Sequence, residues 1–400
     1  MPTRRTPPDA SARRRPQIGV GGFRIGPRAK ALVMEVLDSN RLTAGPMMAR
    51  FEAEIAALHA CRYGLMCNSG TSALQIALQA VKEVHGWDDG DEVLVPAVTF
   101  VATANVVLYN QLMPVFVDVE PDYYCIDPAR IEARITPRTR AIMPVHVGGL
   151  PCDMDPILEI ARRHHLRIVE DSAEAMFVTY RGRPVGSFGD IGCFSTYAAH
   201  MVTTGIGGLC TTDDADLLLL LKSIMNHGRD SLYIRIDDDL AARGDDVFRV
   251  ADSRFSFVRF GHSFRATEME AAIGIAQLED RDTLCARRRT IAAALDDGLA
   301  PLAGEHLRLP ATRAGAEHAY MFYAITITND RVARADLIQY LEERSIETRY
   351  VLPLINQPVY RQRFGNLDSE YPVAAHLNER AFYIGCHPDM TDDDVSYVVD

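Results

Sequence analysis

Short apolar runs alternate with segments of helical periodicity between residues 63 and 197, and this alternation limits the folds open to the chain. The run YGLMCN at 63–68 leads into SGTSALQIALQAV, where Ala73, Ile76, Ala77 and Ala80 recur at helical spacing. The later runs are DEVLVP (91–96), MPVFVDV (113–119), RAIMPVHV (140–147) and LRIVED (166–171). Strands that alternate with helices form a mainly parallel sheet covered by helices. The sequence therefore predicts an α/β fold.

The chain has 400 residues, of which 48% are hydrophobic, and this is enough for one large domain and a smaller one. After the charged helical segment RDTLCARRRTIAAALDD the order of elements is looser. We therefore predict a large domain at 17–280 and a smaller C-terminal α/β domain at 281–400. The first sixteen residues contain arginines and prolines but no apolar segment, so we predict a disordered tail at 1–16 rather than a secretory signal.

Charge and composition exclude several classes of protein. The formal net charge is −12, and the predicted domains show no run of Lys and Arg longer than the three arginines at 287–289, so we expect no nucleic-acid surface. No window has the roughly eighteen uninterrupted apolar residues of a membrane helix. The eight cysteines show no CxC or CxxC spacing, so we expect no metal site and interpret them as reduced core thiols of a cytoplasmic protein.

A run of small residues, NSGTSAL at 68–74, stands where the first apolar run passes into a helical segment. Free backbone N–H groups at a helix start, together with the helix dipole, favour an anionic group such as phosphate. An ordinary helix N-cap at Ser69 or Thr71 explains the same residues equally well. The run is therefore either a phosphate cradle or a plain helix start.

Three further features lie near the ends of the later apolar runs. Asp171 closes LRIVED, and open α/β sheets place ligands at this edge, although a helix cap or loop carboxylate is the alternative. Phe100 follows VPAVT and is either a core aromatic or a stacking partner for a ring. A turn from Ser195 to His200 follows DIGCF. Taken with the small-residue run, these features indicate a flat, phosphorylated, nitrogen-heterocyclic cofactor.

At this point the chain resembles the DegT/DnrJ/EryC1/StrS family, the sugar-aminotransferase branch of the fold-type-I pyridoxal-phosphate enzymes. The resemblance runs from about residue 27 to the last residue. It rests on the ordered motifs RLTAGPMMARFE, NSGTSAL, VPAVTFVATANVVL, PVFVDVEPD, PVHVGGLPCDMDPI, VEDSAEA, GSFGDIGCFS, NHG and RATEMEAAIGIAQLE. It implies a mainly parallel, mixed sheet in the large domain, and pyridoxal or pyridoxamine 5′-phosphate as the cofactor.

The resemblance also assigns roles to residues. Phe100 stacks on the cofactor ring, Asp171 pairs with the protonated pyridine nitrogen and makes the ring an electron sink, and Glu174 approaches the phenolic oxygen. Asn226 of NHG reaches the cofactor phosphate of a neighbouring subunit, which implies a homodimer. The residues implied to hold the phosphate within one subunit are Gly70, Thr71, Ser72 and Ser195.

Two positions depart from the family pattern. The family's lysine is expected five residues after Ser195, where this chain has His200, and Ile206 replaces the glutamate of a GEGG turn. The chain's only lysines are Lys30, Lys82 and Lys222, and none lies where it could take over the covalent anchor. We therefore expect the cofactor to be bound non-covalently. For Ile206 we derive no effect.

Histidine at this position is similar to the pattern of the family's sugar 3-dehydratases, such as those acting on GDP-4-keto-6-deoxymannose. Glu174 and an extended segment at 228–264 match that pattern as well. The resemblance implies removal of the 3-hydroxyl of a nucleotide-linked 4-keto-6-deoxy sugar, with His200 and Asp171 as the catalytic residues. Imidazole, whose pKa is about 6.5, is a competent base that forms no stable imine. Without a dense cysteine cluster, an amino acid such as glutamate is the expected amino donor.

Two alternatives remain open at the level of sequence. One is an aminotransferase-like enzyme or dehydratase that acts on another keto sugar, including a nucleoside sugar. The other is a paralogue without catalysis that binds a sugar nucleotide.

Overall fold

The computed structural model describes residues 15–230, 243–253 and 255–400. Of the predicted tail at 1–16, only Arg15 and Pro16 belong to these residues, and Arg15 donates to Asp394 at 2.6 Å. Part of the predicted extended segment, 231–242 together with residue 254, lies outside the described residues. No helix within the described ranges is both long enough and apolar enough to span a membrane.

The described residues form thirteen strands, numbered here in chain order. The strands are β1 (Tyr63–Cys67), β2 (Glu92–Pro96), β3 (Met113–Val117), β4 (Thr139–Ile142), β5 (Arg167–Asp171), β6 (Thr179–Tyr180), β7 (Arg183–Pro184), β8 (Ile191–Ser195), β9 (Gly208–Thr212), β10 (Leu307–Arg308), β11 (Phe322–Ile327), β12 (Thr348–Tyr350) and β13 (Ala381–Gly385).

Most of the α-helices cover the faces of the sheets or connect their strands. The helices are α1 (Pro27–Ser39), α2 (Pro46–Leu58), α3 (Gly70–His85), α4 (Val101–Tyr109), α5 (Pro128–Ile131), α6 (Met154–His164), α7 (Ala215–Met225), α8 (Asp245–Ser253), α9 (Glu268–Glu279), α10 (Arg281–Leu299), α11 (Arg334–Glu343), α12 (Pro358–Phe364), α13 (Pro372–Arg380) and α14 (Asp392–Val399).

The large sheet has seven strands in the order β1-β9-β8-β5-β4-β2-β3. Strands β3, β2, β4, β5 and β8 pair in parallel, whereas β9 is antiparallel to both of its neighbours. A second sheet contains β10, β11, β13 and β12. The prediction of an α/β fold with a mainly parallel, mixed sheet is confirmed.

One apolar run gives a shorter strand than the sequence suggests. The run at 140–147 contributes to β4 only as far as Ile142. Pro144 has no N–H to donate to a sheet, and the chain then bends so that Val145 bridges to Asp171 of β5. The bend places His146 at the end of β5, where its backbone N–H donates to the Asp171 carbonyl at 3.2 Å.

The hydrophobic core consists of two clusters. The larger surrounds the seven-stranded sheet and includes C-terminal residues such as Leu354, Tyr360 and Leu377. The smaller packs α10 and α14 against the second sheet. The predicted boundary between 280 and 281 falls between α9 and α10. Because C-terminal side chains enter the larger cluster, this boundary remains a prediction.

A fully buried carboxylate, Glu170, holds the loop before β8 against β5. It accepts hydrogen bonds from the backbone N–H groups of Gly186 at 2.8 Å, Phe188 at 2.6 Å and Gly189 at 2.8 Å. His146 Nε2 lies 3.2 Å from Glu170 Oε2. Since the Cys152 N–H donates to His146 Nδ1 at 3.0 Å, Nε2 carries the ring proton and donates it to Glu170.

We expect Glu170→Ala to lower the free energy of unfolding by about 3–5 kcal/mol, because several buried donors lose their acceptor together. Urea unfolding of the cofactor-free protein measures this loss. The control is Glu159→Ala, which removes an exposed pair with Arg162 on α6 and should cost less than about 1 kcal/mol. Equal losses in the two variants would contradict the structural role of Glu170.

Candidate active site

The N-terminus of α3 meets the end of β8 and forms a candidate phosphate cradle. Ser69 is the N-cap, and its hydroxyl accepts from the Ser72 N–H at 3.0 Å. The first amides of a helix have no acceptor within it, so the N–H groups of Gly70 and Thr71 are available to an anion. A Cβ at Gly70 would lie 2.7 Å from Ser195 Cβ, so only glycine permits this approach.

The helix-cap interpretation of the small-residue run holds for Ser69. Free amides remain beside Ser195, and the phosphate cradle remains a prediction. The Ser72 hydroxyl donates to Asn68 Oδ1 at 2.7 Å and lies 2.9 Å from Ser69 Oγ. Ser72 is thus engaged within its own turn. Gly70, Thr71 and Ser195 have the clearer access to a phosphate group.

Asp171 is the last residue of β5, and its side chain is almost fully buried. Oδ2 accepts from Thr103 Oγ1 at 2.8 Å, and Oδ1 accepts from the Ala173 N–H at 3.2 Å. Burial raises the pKa of Asp171 above its usual value, and these hydrogen bonds oppose the rise. No Lys or Arg forms an ion pair with Asp171 in the part of the chain that the structure describes. A buried carboxylate in this setting fits a protonated ring nitrogen as its cation.

Glu174 lies on the same segment and is also buried. It accepts from the Gly148 N–H at 2.7 Å, and Gly148 has a φ of 64°. Burial raises the pKa of Glu174 to about 8, and the nearby Asp171 carboxylate adds to the rise. At neutral pH the carboxyl group therefore holds a proton that it can donate to a phenolic oxygen.

Phe100 is the N-cap residue of α4, and its ring is 59% exposed. This exposure excludes the core role that the sequence left open. The Thr103 N–H donates to the Phe100 carbonyl at 3.2 Å, so one helical turn carries both the exposed ring and the hydroxyl that binds Asp171. The arrangement fits a flat ring stacked on Phe100 with its nitrogen at Asp171.

His200 lies in the turn that follows β8. Its backbone N–H donates to the Tyr197 carbonyl at 2.9 Å, and its carbonyl accepts from Arg288 Nη2 at 3.4 Å. The imidazole approaches the Ala173 carbonyl, between Asp171 and Glu174. Burial lowers the pKa of His200 to about 4, with a further lowering from the Arg288 charge. The ring is therefore uncharged at neutral pH, and its buried Nδ1 has no hydrogen-bond partner among the described residues.

The three lysines lie on helices outside this cluster. Lys82 is near the C-terminus of α3, about 18 Å along the helix axis from Gly70, and its Nζ is 2.6 Å from Asp89 Oδ1. Lys30 is exposed on α1. Lys222 lies on α7 and lines a cavity at the β1 edge of the sheet. Ile206, 53% exposed, lies in the loop between β8 and β9.

Asn226 is the C-cap residue of α7 and lines that same cavity, which has a volume of about 250 Å³. The cavity is bordered by Lys222, Arg229, Arg265 and the loop at 43–45. The other predicted residues follow the ends of β1, β2, β5 and β8, whereas Asn226 ends α7. Its role toward a neighbouring subunit remains a prediction.

Two residues of the site are absent from the sequence-based prediction. Thr103 stands three residues after Phe100 in the quoted motif VPAVTFVATANVVL, so helical spacing could have placed it beside the ring platform. Arg288 is 2% exposed although it lies in the charged run ARRRT. Its signal is the helical spacing that it shares with Ile291, Leu295 and Leu299, all buried residues of α10.

No cluster of His, Cys, Asp and Glu suited to a metal ion occurs within the described ranges. All eight cysteines are free, and seven are buried. The site is instead built from backbone amides, hydroxyls, two buried carboxyl groups, an exposed aromatic ring and an uncharged imidazole. These donors and acceptors fit pyridoxal phosphate.

Comparisons with known proteins show relatives along nearly the whole chain. The chain is 34% identical to a GDP-perosamine synthase of Caulobacter vibrioides over 96% of this chain and 97% of that protein. It is 35% identical to a dTDP-4-dehydro-2,6-dideoxy-D-glucose 3-dehydratase of Saccharopolyspora spinosa over 92% of this chain and 82% of that protein. A structure of the E. coli GDP-4-keto-6-deoxy-D-mannose-3-dehydratase with bound hydrated PLP superposes with a TM-score of 0.83, at 25% identity and coverage of 96% and 98%.

The family model of the DegT/DnrJ/EryC1/StrS aminotransferases matches residues 24–400, which is nearly the whole chain. The resemblance seen in the sequence motifs is thereby confirmed. This chain belongs to the DegT/DnrJ/EryC1/StrS aminotransferase family.

Proposed function

We propose that this protein is a dehydratase that depends on pyridoxal and pyridoxamine phosphate and removes the 3-hydroxyl of a nucleotide-linked 4-keto-6-deoxy sugar. The observation that carries the proposal is the uncharged, half-buried imidazole of His200 at the position of the family's lysine, beside the Asp171–Glu174 segment. A lysine at this position could form an imine with the cofactor, whereas an imidazole forms no stable imine but can accept and return protons.

The chain's own residues divide the work of binding. The amides of Gly70 and Thr71, with the Ser195 hydroxyl, hold the phosphate, and Phe100 supports the ring. Asp171 keeps the ring nitrogen protonated, and Glu174 donates its proton to the phenolic oxygen. When bound, the cofactor supplies an electron sink that makes loss of the sugar hydroxyl possible.

His200 moves the proton. Because its imidazole is uncharged at neutral pH, a ring nitrogen can accept a proton from the carbon next to the cofactor ring, and the same nitrogen can return it to the departing hydroxyl. The hydroxyl then leaves as water. An amino acid such as glutamate is the expected amino donor, and Asn226 would complete the site of a neighbouring subunit in a homodimer.

The aminotransferase alternative is supported by the 34% identity to a GDP-perosamine synthase. The identity to the Saccharopolyspora spinosa 3-dehydratase is 35%, so overall sequence similarity does not distinguish amino transfer from dehydration. Histidine in place of lysine favours dehydration, because amino transfer by this family needs the lysine both as anchor and as proton shuttle. Incubation with pyridoxamine phosphate, glutamate and a panel of nucleotide 4-keto-6-deoxy sugars, followed by mass measurement, tests the proposal directly.

We expect the cofactor to be removable by dialysis, and we expect borohydride to leave no pyridoxyl group on the protein, because no lysine reaches the site. Peptide mass mapping after reduction measures the result. His200→Lys, treated identically, is the positive control that should become labelled at position 200. An adduct on Lys30, Lys82 or Lys222 of the native protein would contradict non-covalent binding.

Asp171→Asn should reduce turnover by about 100-fold or more, because the amide cannot keep the ring nitrogen protonated. Circular dichroism and the unfolding midpoint should remain near those of the native protein. Asp155→Asn, which alters a half-exposed carboxylate paired with Arg181, should leave turnover unchanged. Turnover near the native rate in Asp171→Asn would show that the cofactor does not use this carboxylate.

His200→Asn should still bind pyridoxamine phosphate but fail to release the oxygen of sugar carbon 3, because it has no basic nitrogen. His200→Lys should gain a covalent cofactor, seen as an absorbance change with pyridoxal phosphate, and lose dehydration. His376→Asn, on the exposed face of α13, is the matched control.

Mass measurement of the sugar distinguishes the reactions. Loss of oxygen without gain of nitrogen supports dehydration. If the native protein makes an amino sugar that keeps its 3-hydroxyl, or if His200→Lys dehydrates faster than the native protein, His200 is not a dehydratase base.

A further inference from the structure

The side chain of Arg288 is a buried positive charge between the two hydrophobic clusters. It lies on α10 and is 2% exposed, whereas the side chain of the next residue, Arg289, is 45% exposed. Arg288 forms no ion pair with a carboxylate within residues 15–230, 243–253 and 255–400. A guanidinium remains protonated at all ordinary pH values, so this charge is permanent.

Backbone carbonyl groups accept hydrogen bonds from both Nη atoms of this guanidinium instead, whereas its buried Nε has no partner among the described residues. Nη1 donates to the carbonyls of Tyr320 at 3.2 Å, Met321 at 3.0 Å and Cys386 at 2.6 Å. Nη2 donates to the His200 carbonyl at 3.4 Å. The first three acceptors belong to segments around the second sheet, and the fourth is the residue expected to act as the base. One side chain thus ties the His200 turn to the C-terminal part of the chain.

We propose that Arg288 is a positioning residue for His200: its guanidinium fixes the His200 backbone, and its buried charge adds to burial in disfavouring protonation of the imidazole. Only one part of this inference rests on the proposed function, namely that His200 acts as the base in dehydration.

Two positive charges in a region of low dielectric repel each other strongly, so protonation of His200 next to Arg288 is unfavourable. The pKa of His200 is lowered, in agreement with this argument: burial lowers it most, and the charge of Arg288 lowers it further. The Ala173 carbonyl opposes both effects. Without Arg288, burial alone would have to keep the ring uncharged.

Apart from Asp280, the other charged groups around His200 are paired or lie on its cofactor side. His200 and Arg288 line a cavity of about 240 Å³, together with Arg24, Arg28, Asp280 and Asp389. Arg24 pairs with Asp389 at 2.9 Å, and Arg28 pairs with Glu279 at 2.8 Å, so these charges largely cancel. Asp280 is the remaining acidic residue of this cavity.

On the cofactor side, the segment that approaches the imidazole carries Asp171 and Glu174. The raised pKa of Glu174, about 8, leaves that group protonated and neutral at pH 7. A negative charge on Asp171 would favour a protonated imidazole and so oppose the effect of Arg288. The permanent positive charge of Arg288 opposes protonation of the imidazole.

The test is an NMR titration of ¹³C-labelled histidine in the cofactor-free full chain, with the His200 signal identified by its loss in His200→Asn. We expect the pKa of His200 to be about 4 in the native protein. In Arg288→Met it should rise above about 5, because the repelling charge is gone. In Arg289→Met, the control on the same helix, it should stay at the native value.

Arg288→Lys separates charge from geometry and serves also where Arg288→Met does not fold. Lysine keeps the charge but has no planar fork to reach several carbonyls, so the pKa of His200 should stay low while turnover falls by about 10-fold or more. Where Arg288→Met turns over substrate, the acidic limb of its kcat/KM profile should move to higher pH with the titration.

A native pKa of His200 near 6.5, an Arg288→Met value equal to the native one, or a normal pKa in Arg288→Lys would each overturn the proposal. These readings need no turnover. If the protein proves to be an aminotransferase, the proposed function fails, whereas the titration still decides the role of Arg288.

Discussion

The end of β5 carries two adjacent buried carboxyl groups, and the rest of the site depends on how the strand separates them. Neighbouring residues of a strand point to opposite faces of the sheet. Glu170 points to the side where it accepts hydrogen bonds from three backbone amides and His146, so its role is structural. Asp171 points to the other side and retains capacity for a cation. The same backbone thus supplies a structural anchor and the carboxylate that we propose as the partner of a charged ring nitrogen.

The parallel arrangement explains why residues far apart in the sequence meet at this point. The carboxyl ends of parallel strands open at one edge of a sheet, and loops there collect the functional groups. The exposed ring of Phe100 follows β2, Asp171 ends β5, and the Ser195–His200 turn leaves β8. Gly70 begins α3 directly beyond β1 and lies against Ser195, because the antiparallel β9 joins β1 and β8 in the sheet.

The sequence predicted strands and helices well where a local pattern of apolar residues was enough to determine them. Apolar runs bounded by helical segments predicted the strands, and positions at run ends singled out Asp171 and the Ser195–His200 turn. The site roles of Gly70, Asp171 and Ser195 come from the family resemblance and remain predictions. The pattern failed where a tertiary contact decides. Pro144 shortens a strand that composition alone would extend. From the sequence, Arg288 looks like a surface charge. In the structure it is surrounded by carbonyl groups of distant segments, including those of Met321, 33 residues away, and Cys386, 98 residues away.

A histidine in place of lysine changes the proton balance of the whole cluster. Lysine has an ordinary pKa of about 10.4, so it needs strong help from its surroundings to lose its proton, whereas imidazole needs little. Here burial and Arg288 act together on His200, and the pKa falls to about 4. Glu174 shifts in the opposite direction, to about 8, because burial disfavours its charged form as well. At neutral pH the cluster therefore holds a proton on the acid and none on the base. This distribution fits the roles proposed for Glu174 and His200, and it arises from burial acting with opposite sign on an acid and a base.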